Sequence, residues 1–200
     1  MLYIIGVNHR AQVRERGNED TYVQRELARH LRTAVKDFQL SFIAEEYYEE
    51  LLDRRCVDSI SREIALEFGI AHKFCNPNVE ELHEIGCLNI NSICLKLMES
   101  DEEDQSERQI RIKAGAILTG RYSPIRERFW LDRLREFCGR DGLFICGDAH
   151  IDSFCRLLDV NQIAWNVIAR GIGFVQGEAD EIQEATQYLR DHPELADWNP

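Results

Sequence analysis

LYIIGVNH at residues 2–9 and GLFICGDAH at residues 142–150 each run from an apolar stretch into Gly-x-x-His. A short apolar run that stops on a glycine reads as a buried strand. Because these runs are apolar at every position, not at alternate ones, both faces of each strand must be covered. That pattern belongs to a parallel sheet layered between helices.

Working outward from these two stretches, further short apolar runs fit the same sheet. SFIA at 41–44 stops at Glu45-Glu46, IAHKFCNP at 70–77 stops at Pro77, and QIAWNVIA at 162–169 supplies a fifth strand. Helical spacing fills the intervals. Val23, Leu27, Leu31, Val35 and Phe38 recur every three or four residues behind Asp20 as N-cap, and Ile60, Ile64 and Phe68 lead to Gly69 as a stop. One helix is predicted over 79–98, with Leu82, Ile85, Leu88, Leu95 and Leu97 facing a core, and another over 109–117. Ser123-Pro124 reads as a helix start that runs to about Cys138, and shorter helices are predicted over 151–158 and 178–191. The segment ESDEEDQSE at 99–107 holds six acidic residues and no apolar one, so it reads as a solvated loop, with a lid over the crevice as the sharper alternative. The fold expected is α/β: a single domain over residues 1–200, with a mainly parallel β-sheet covered by helices on both faces.

Composition narrows the partners. With 200 residues the chain can bury roughly 70% of its unfolded surface. A formal net charge of −12 argues against nucleic acid and anionic membrane surfaces as general partners. No apolar stretch approaches the length of a membrane span, and MLYIIGVNHR lacks the basic start of a signal peptide. Seven cysteines, Cys56, Cys75, Cys87, Cys94, Cys138, Cys146 and Cys155, form no CxxC pair, which favours reduced thiols and a cytoplasmic setting.

In a parallel sheet the carboxyl ends of the strands share one edge, and ligands bind in the crevice beyond it. His9, Glu45, Glu46 and His150 all fall within about three residues of a predicted strand end, so the topology would gather them. Two imidazoles and a carboxylate suit either of two chemistries. They could hold a divalent metal, Mn or Zn, that activates water, with His9, Glu45 and His150 as ligands and Glu46 and Asp148 in reserve. Alternatively, a histidine acts as general base with Glu45 as its partner carboxylate. On the helix after Pro124, Trp130, Leu131, Leu134, Phe137 and Cys138 form one apolar arc and Arg126 lies at its edge. Arg126 is therefore a candidate to neutralise developing negative charge.

The ordered set GVNH, FIAEE, IRERFW and GDAH resembles the signature of a superfamily. That superfamily joins the TraB/pheromone-shutdown proteins, the Tiki proteases, the erythromycin esterases and the ChaN haem-binding proteins. The matching residues are Gly6 and His9, Glu45, Arg126 with Trp130, and Gly147 and His150, while Glu127 stands where the family has Asn or Asp. The resemblance implies a parallel-sheet core and a hydrolytic or ligand-binding cleft, metal-dependent in the Tiki-like members and haem-binding in the ChaN-like ones.

Weaker signals remain. His72, Cys75, His83 and Cys87 have zinc-ligand chemistry, but residues three apart in a strand face opposite sides. Tyr47 and Tyr48 follow the glutamates and suit core or rim packing, and Asp148 could orient His150. The expectation is a hydrolase acting on a peptide or an ester- or lactone-type small molecule. Its rival is a non-catalytic small-molecule or haem-binding sensor that uses the same crevice.

Overall fold

The computed structural model describes residues 1–15, 19–49, 56–100, 106–174 and 178–199. The structure is α/β, with a five-stranded parallel sheet. Its contacts group the chain into two compact units, Met1–Asn78 with Arg128–Phe174 and Val79–Glu127 with Val175–Pro200, described in turn.

The first unit holds the sheet. Its strands are β1 (Leu2–Val7), β3 (Phe42–Glu45), β5 (Ala71–Phe74), β6 (Gly142–Gly147) and β7 (Trp165–Ile172), in the spatial order β5-β3-β6-β1-β7. The two strands that carry Gly-x-x-His are direct neighbours, with Gly6 opposite Cys146 and Val7 opposite Gly147. Alternation along each strand divides the core. Ile5, Val7, Ile43, Leu143 and Ile145 pack with Leu27, Leu31, Ile60 and Ile64 of α1 (Tyr22–Phe38) and α2 (Ile60–Phe68). Ile4, Phe42, Ala44, Phe144 and Cys146 face the other way, onto Trp130, Leu131 and Leu134 of α6 (Ser123–Leu134) and Phe154 and Leu158 of α7 (Ile151–Val160). Burial on both faces is why these strands read as unbroken apolar runs.

Two details depart from the sequence reading here. The N-cap of α1 is Thr21, not Asp20: the Thr21 hydroxyl accepts the Gln24 N–H and the Gln24 side chain returns the bond, closing a capping box. Asp20 instead pairs with Arg14. The stretch between β1 and α1, for which no strand is predicted, contains β2 (Val13–Glu15), which pairs antiparallel with β4 (Cys56–Ser59). A three-residue strand is too short to show a period.

The second unit is helical. It holds α3 (Val79–Glu84), α4 (Ile90–Ser100), α5 (Glu107–Ile117), the start of α6 and α8 (Glu178–Asp191). Ile93, Leu97, Ala114, Ile117, Tyr122 and Leu195 form its core. The helix predicted over 79–98 is two helices, because Gly86 adopts a left-handed φ of 68° between them. Of the expected acidic loop, Glu99 and Ser100 close α4, Ser106 caps α5 and Glu107 opens it, while 101–105 lie outside the described residues. Ser123-Pro124 does not begin a helix afresh. A π-helical turn, Leu118–Tyr122, joins α5 to α6, and the Ser123 hydroxyl donates to the Leu118 carbonyl at 3.1 Å. Among the described residues, no helix is long and apolar enough to cross a membrane.

Candidate functional site

β1 and β6 each end in the same local device, a one-turn 3-10 helix that carries the histidine: His9–Ala11 after β1 and Asp148–His150 after β6. Because these strands are adjacent and parallel, both imidazoles emerge at one edge of the sheet. β3 flanks β6 on its other side, and the Glu46 N–H continues the ladder to the Ile145 carbonyl at 2.7 Å.

Glu46 is the carboxylate that meets the two histidines. Its Oε1 lies 3.7 Å from His9 Nε2 and 3.6 Å from His150 Nε2, and its Oε2 accepts the Gly147 N–H at 2.8 Å. The Glu46 side chain is 1% exposed, that of His150 11% and that of His9 49%, so His9 forms the open side of the trio. Glycine at 147 makes the approach possible: a Cβ there would stand 3.0 Å from His9 Nε2 and 3.4 Å from Glu46 Oε2. Trp130 and the His150 ring pack in a T-shaped arrangement at a centroid separation of 4.8 Å, and the indole N–H reaches Asn76 Oδ1 at 3.3 Å.

Glu45, which the sequence reading ranked above Glu46, points to the other face of the sheet, because consecutive strand residues alternate. It is fully buried and accepts four hydrogen bonds. Oε1 takes the Ser59 hydroxyl and His72 Nε2–H at 2.8 Å, while Oε2 takes the Ser61 hydroxyl at 3.0 Å and the Gln12 amide N–H at 3.1 Å. Four donors match the lone-pair capacity of an ionised carboxylate, which is what a charge in that position requires. Gln12 then bridges outward, its Oε1 lying 2.6 Å from His9 Nδ1. Glu45 thus touches the site through Gln12 rather than directly.

Asp148 faces β7, accepting the Gly171 N–H at 2.8 Å with Arg170 at 3.5 Å. Arg126 belongs to the second unit, where it and Arg121 oppose the upward push of burial on the Cys87 thiol. Tyr47 and Tyr48 stack on one another at 5.7 Å, half-buried. Of the four zinc-type residues, His72 is bonded to Glu45 and Cys75 lies in the apolar core, where burial pushes its thiol up to about 12. Gln12, Ser59, Ser61 and His72 are the contributors that the sequence did not assign to the site. His72 carries a signal only as a zinc-type residue, and Ser59 carries a capping signal before the apolar run of α2.

As donors, two imidazoles and a carboxylate suit Mn or Zn. Two atoms each about 2.1 Å from a tetrahedral ion stand roughly 3.4 Å apart, and Glu46 Oε1 stands 3.7 and 3.6 Å from the His9 and His150 Nε2 atoms. Among the described residues, no group of three His, Cys, Asp or Glu side chains is set to hold an ion. Held against protein-family models, curated proteins and solved structures, the chain matches none.

Proposed function

We propose that this chain is a hydrolase of peptide or ester- and lactone-type substrates in which His9 is the general base. The observation that supports this reading is the trio itself, a buried carboxylate within 3.7 Å of both Gly-x-x-His imidazoles. A bare His9 Nε2 and Glu46 Oε1 are both acceptors and need a proton donor between them, a place that suits a water molecule. As that water attacks an acyl carbon, His9 takes its proton, and the imidazolium that results is stabilised by the Glu46 carboxylate beside it. His150, packed on Trp130 against the same carboxylate, supplies the proton that the leaving oxygen or nitrogen requires. The order of the motifs GVNH, FIAEE and GDAH, resembling the TraB, Tiki and erythromycin esterase superfamily, supports the same class. A cytoplasmic setting suits cysteines such as Cys75, Cys87, Cys94, Cys138 and Cys155, which form no disulfide.

The test is turnover of p-nitrophenyl acetate, a γ-lactone and a short peptide, each with and without added Mn or Zn. Removing an acid or base costs on the order of 100-fold or more, so His9→Ala, Glu46→Gln and His150→Ala should each lose at least that much while the fold persists. Full turnover by the folded His9→Ala variant would end the proposal. A purified protein that hydrolyses none of the three and carries a Soret band would replace it with a haem-binding reading. Activity that requires added metal, with binding lost in His9→Ala and His150→Ala, would move the same residues from base chemistry to metal ligation.

A further inference from the structure

We propose that Gln12 is a positioning residue that holds the His9 imidazole in its Nδ1–H tautomer, and that buried Glu45 fixes Gln12 in the orientation this requires. The inference deepens the reading of His9 as the base and rests on it for its catalytic meaning. Its structural content stands on the bonds alone. An ionised Glu45 has only acceptor atoms, so the Gln12 atom 3.1 Å from its Oε2 is the amide NH2 group. The other end of the amide is then a carbonyl oxygen, also an acceptor, and it lies 2.6 Å from His9 Nδ1. Nδ1 must therefore carry the proton. In the neutral ring that leaves Nε2 bare, and Nε2 is the atom that faces Glu46.

The backbone makes the bridge rigid. Gln12 is wholly buried; its N–H donates to the His9 carbonyl at 3.1 Å, and its own carbonyl accepts the Ile60 N–H at 2.8 Å. Ser59, Ser61 and His72 occupy the other lone pairs of Glu45, so its carboxylate has no freedom to turn. An amide also suits the position electrostatically. It transmits the orientation set by Glu45 without adding a third negative charge between two buried carboxylates.

The tautomer can be read without any substrate. In protein labelled with 15N-histidine, two-bond proton–nitrogen spectra above the imidazole titration range distinguish the two ring nitrogens, and His9 is assigned by the signals that vanish in His9→Ala. The wild-type ring should show Nδ1 protonated and Nε2 bare. Gln12→Met keeps the length of the side chain and removes both bonds, so the tautomer ratio should move toward Nε2–H by roughly tenfold, the effect of one hydrogen bond of ordinary net strength. Glu45→Gln, which lets the Gln12 amide turn over, should move it in the same direction and serves if Gln12→Met does not fold. A wild-type His9 protonated on Nε2 overturns the proposal, as does a folded variant of either kind whose ratio stays at the wild-type value. Loss of stability with no change in tautomer would make Gln12 merely structural, which also overturns it. If the tautomer behaves as stated while His9→Ala still turns over substrate, the positioning role stands and the catalytic reading falls.

Discussion

A single methyl group separates the tasks of the two motif glycines. Gly147 has an ordinary φ of −57°, so alanine is tolerated by the backbone, but its Cβ would crowd His9 Nε2 and Glu46 Oε2. Gly147→Ala should therefore melt within a few degrees of the parent by thermal denaturation and lose most of any activity that depends on the trio. At Gly6 the added Cβ would collide with Asp148 Oδ1 and Ile151 Cδ1. Asp148 is anchored to Gly171 and Arg170, and Ile151 is core. Gly6→Ala should accordingly cost about 1–3 kcal/mol in a denaturant titration, the usual penalty for overpacking. A fall in activity with no stability loss there would contradict this division of labour. The cysteines make a second residue-scale test. Burial pushes the Cys75 thiol up to about 12 and the Cys155 thiol up to about 11, while Cys138 is exposed. Since the thiolate is the reactive form, iodoacetamide near pH 8 should label Cys138 in the native protein and leave Cys75 and Cys155 until it unfolds, as peptide mass mapping would show.

At the scale of elements, Ser59 joins the fold to the site. It is the N-cap of α2, accepting the Arg62 N–H at 3.3 Å, and its hydroxyl proton goes to buried Glu45. Thr21 caps α1 with no such second task. Thr21→Ala should cost about 1 kcal/mol, an ordinary cap. Ser59→Ala should cost about 2–4 kcal/mol, because it also leaves one lone pair of a buried carboxylate unmet. Equal losses in urea denaturation would mean that the Glu45 bond carries no net stability. The same elements show what could be read in advance. β1, β3 and β6 were legible because burial on both faces writes itself as an apolar run, and their shared edge correctly brought His9 and His150 together. The choice between Glu45 and Glu46 was not legible. Alternation puts the two glutamates on opposite faces of β3, and an unbroken apolar run does not say which face the histidines share. Gln12 left no signal at all, since its role depends on a bond to a residue 33 positions away.

For the whole molecule, the chain order conceals how the contacts divide. Each unit is assembled from two separate segments, residues 1–78 with 128–174 and 79–127 with 175–200, and α6 runs across a boundary without a break. No linker composition marks any of the three crossings, so the sequence reads as one continuous α/β domain. The energetic consequence falls on the final segment. Ala185 of α8 packs on Gly115 of α5, Leu189 on Gly120 of the π-helical turn, and Leu195 completes the helical core. At both glycines a side chain would displace its partner, so these helices approach as closely as backbone permits and depend on one another for burial. A chain ended after Phe174 should therefore lose amide-exchange protection in α4 and α5, with the largest change around Ala114 to Ile117. The reference amides are those of β1 and β6, whose ladder partners all lie within residues 1–174. Unchanged protection of α5 in the shortened chain would show that residues 175–200 add little to that core, and that Leu195 is buried there without holding it together.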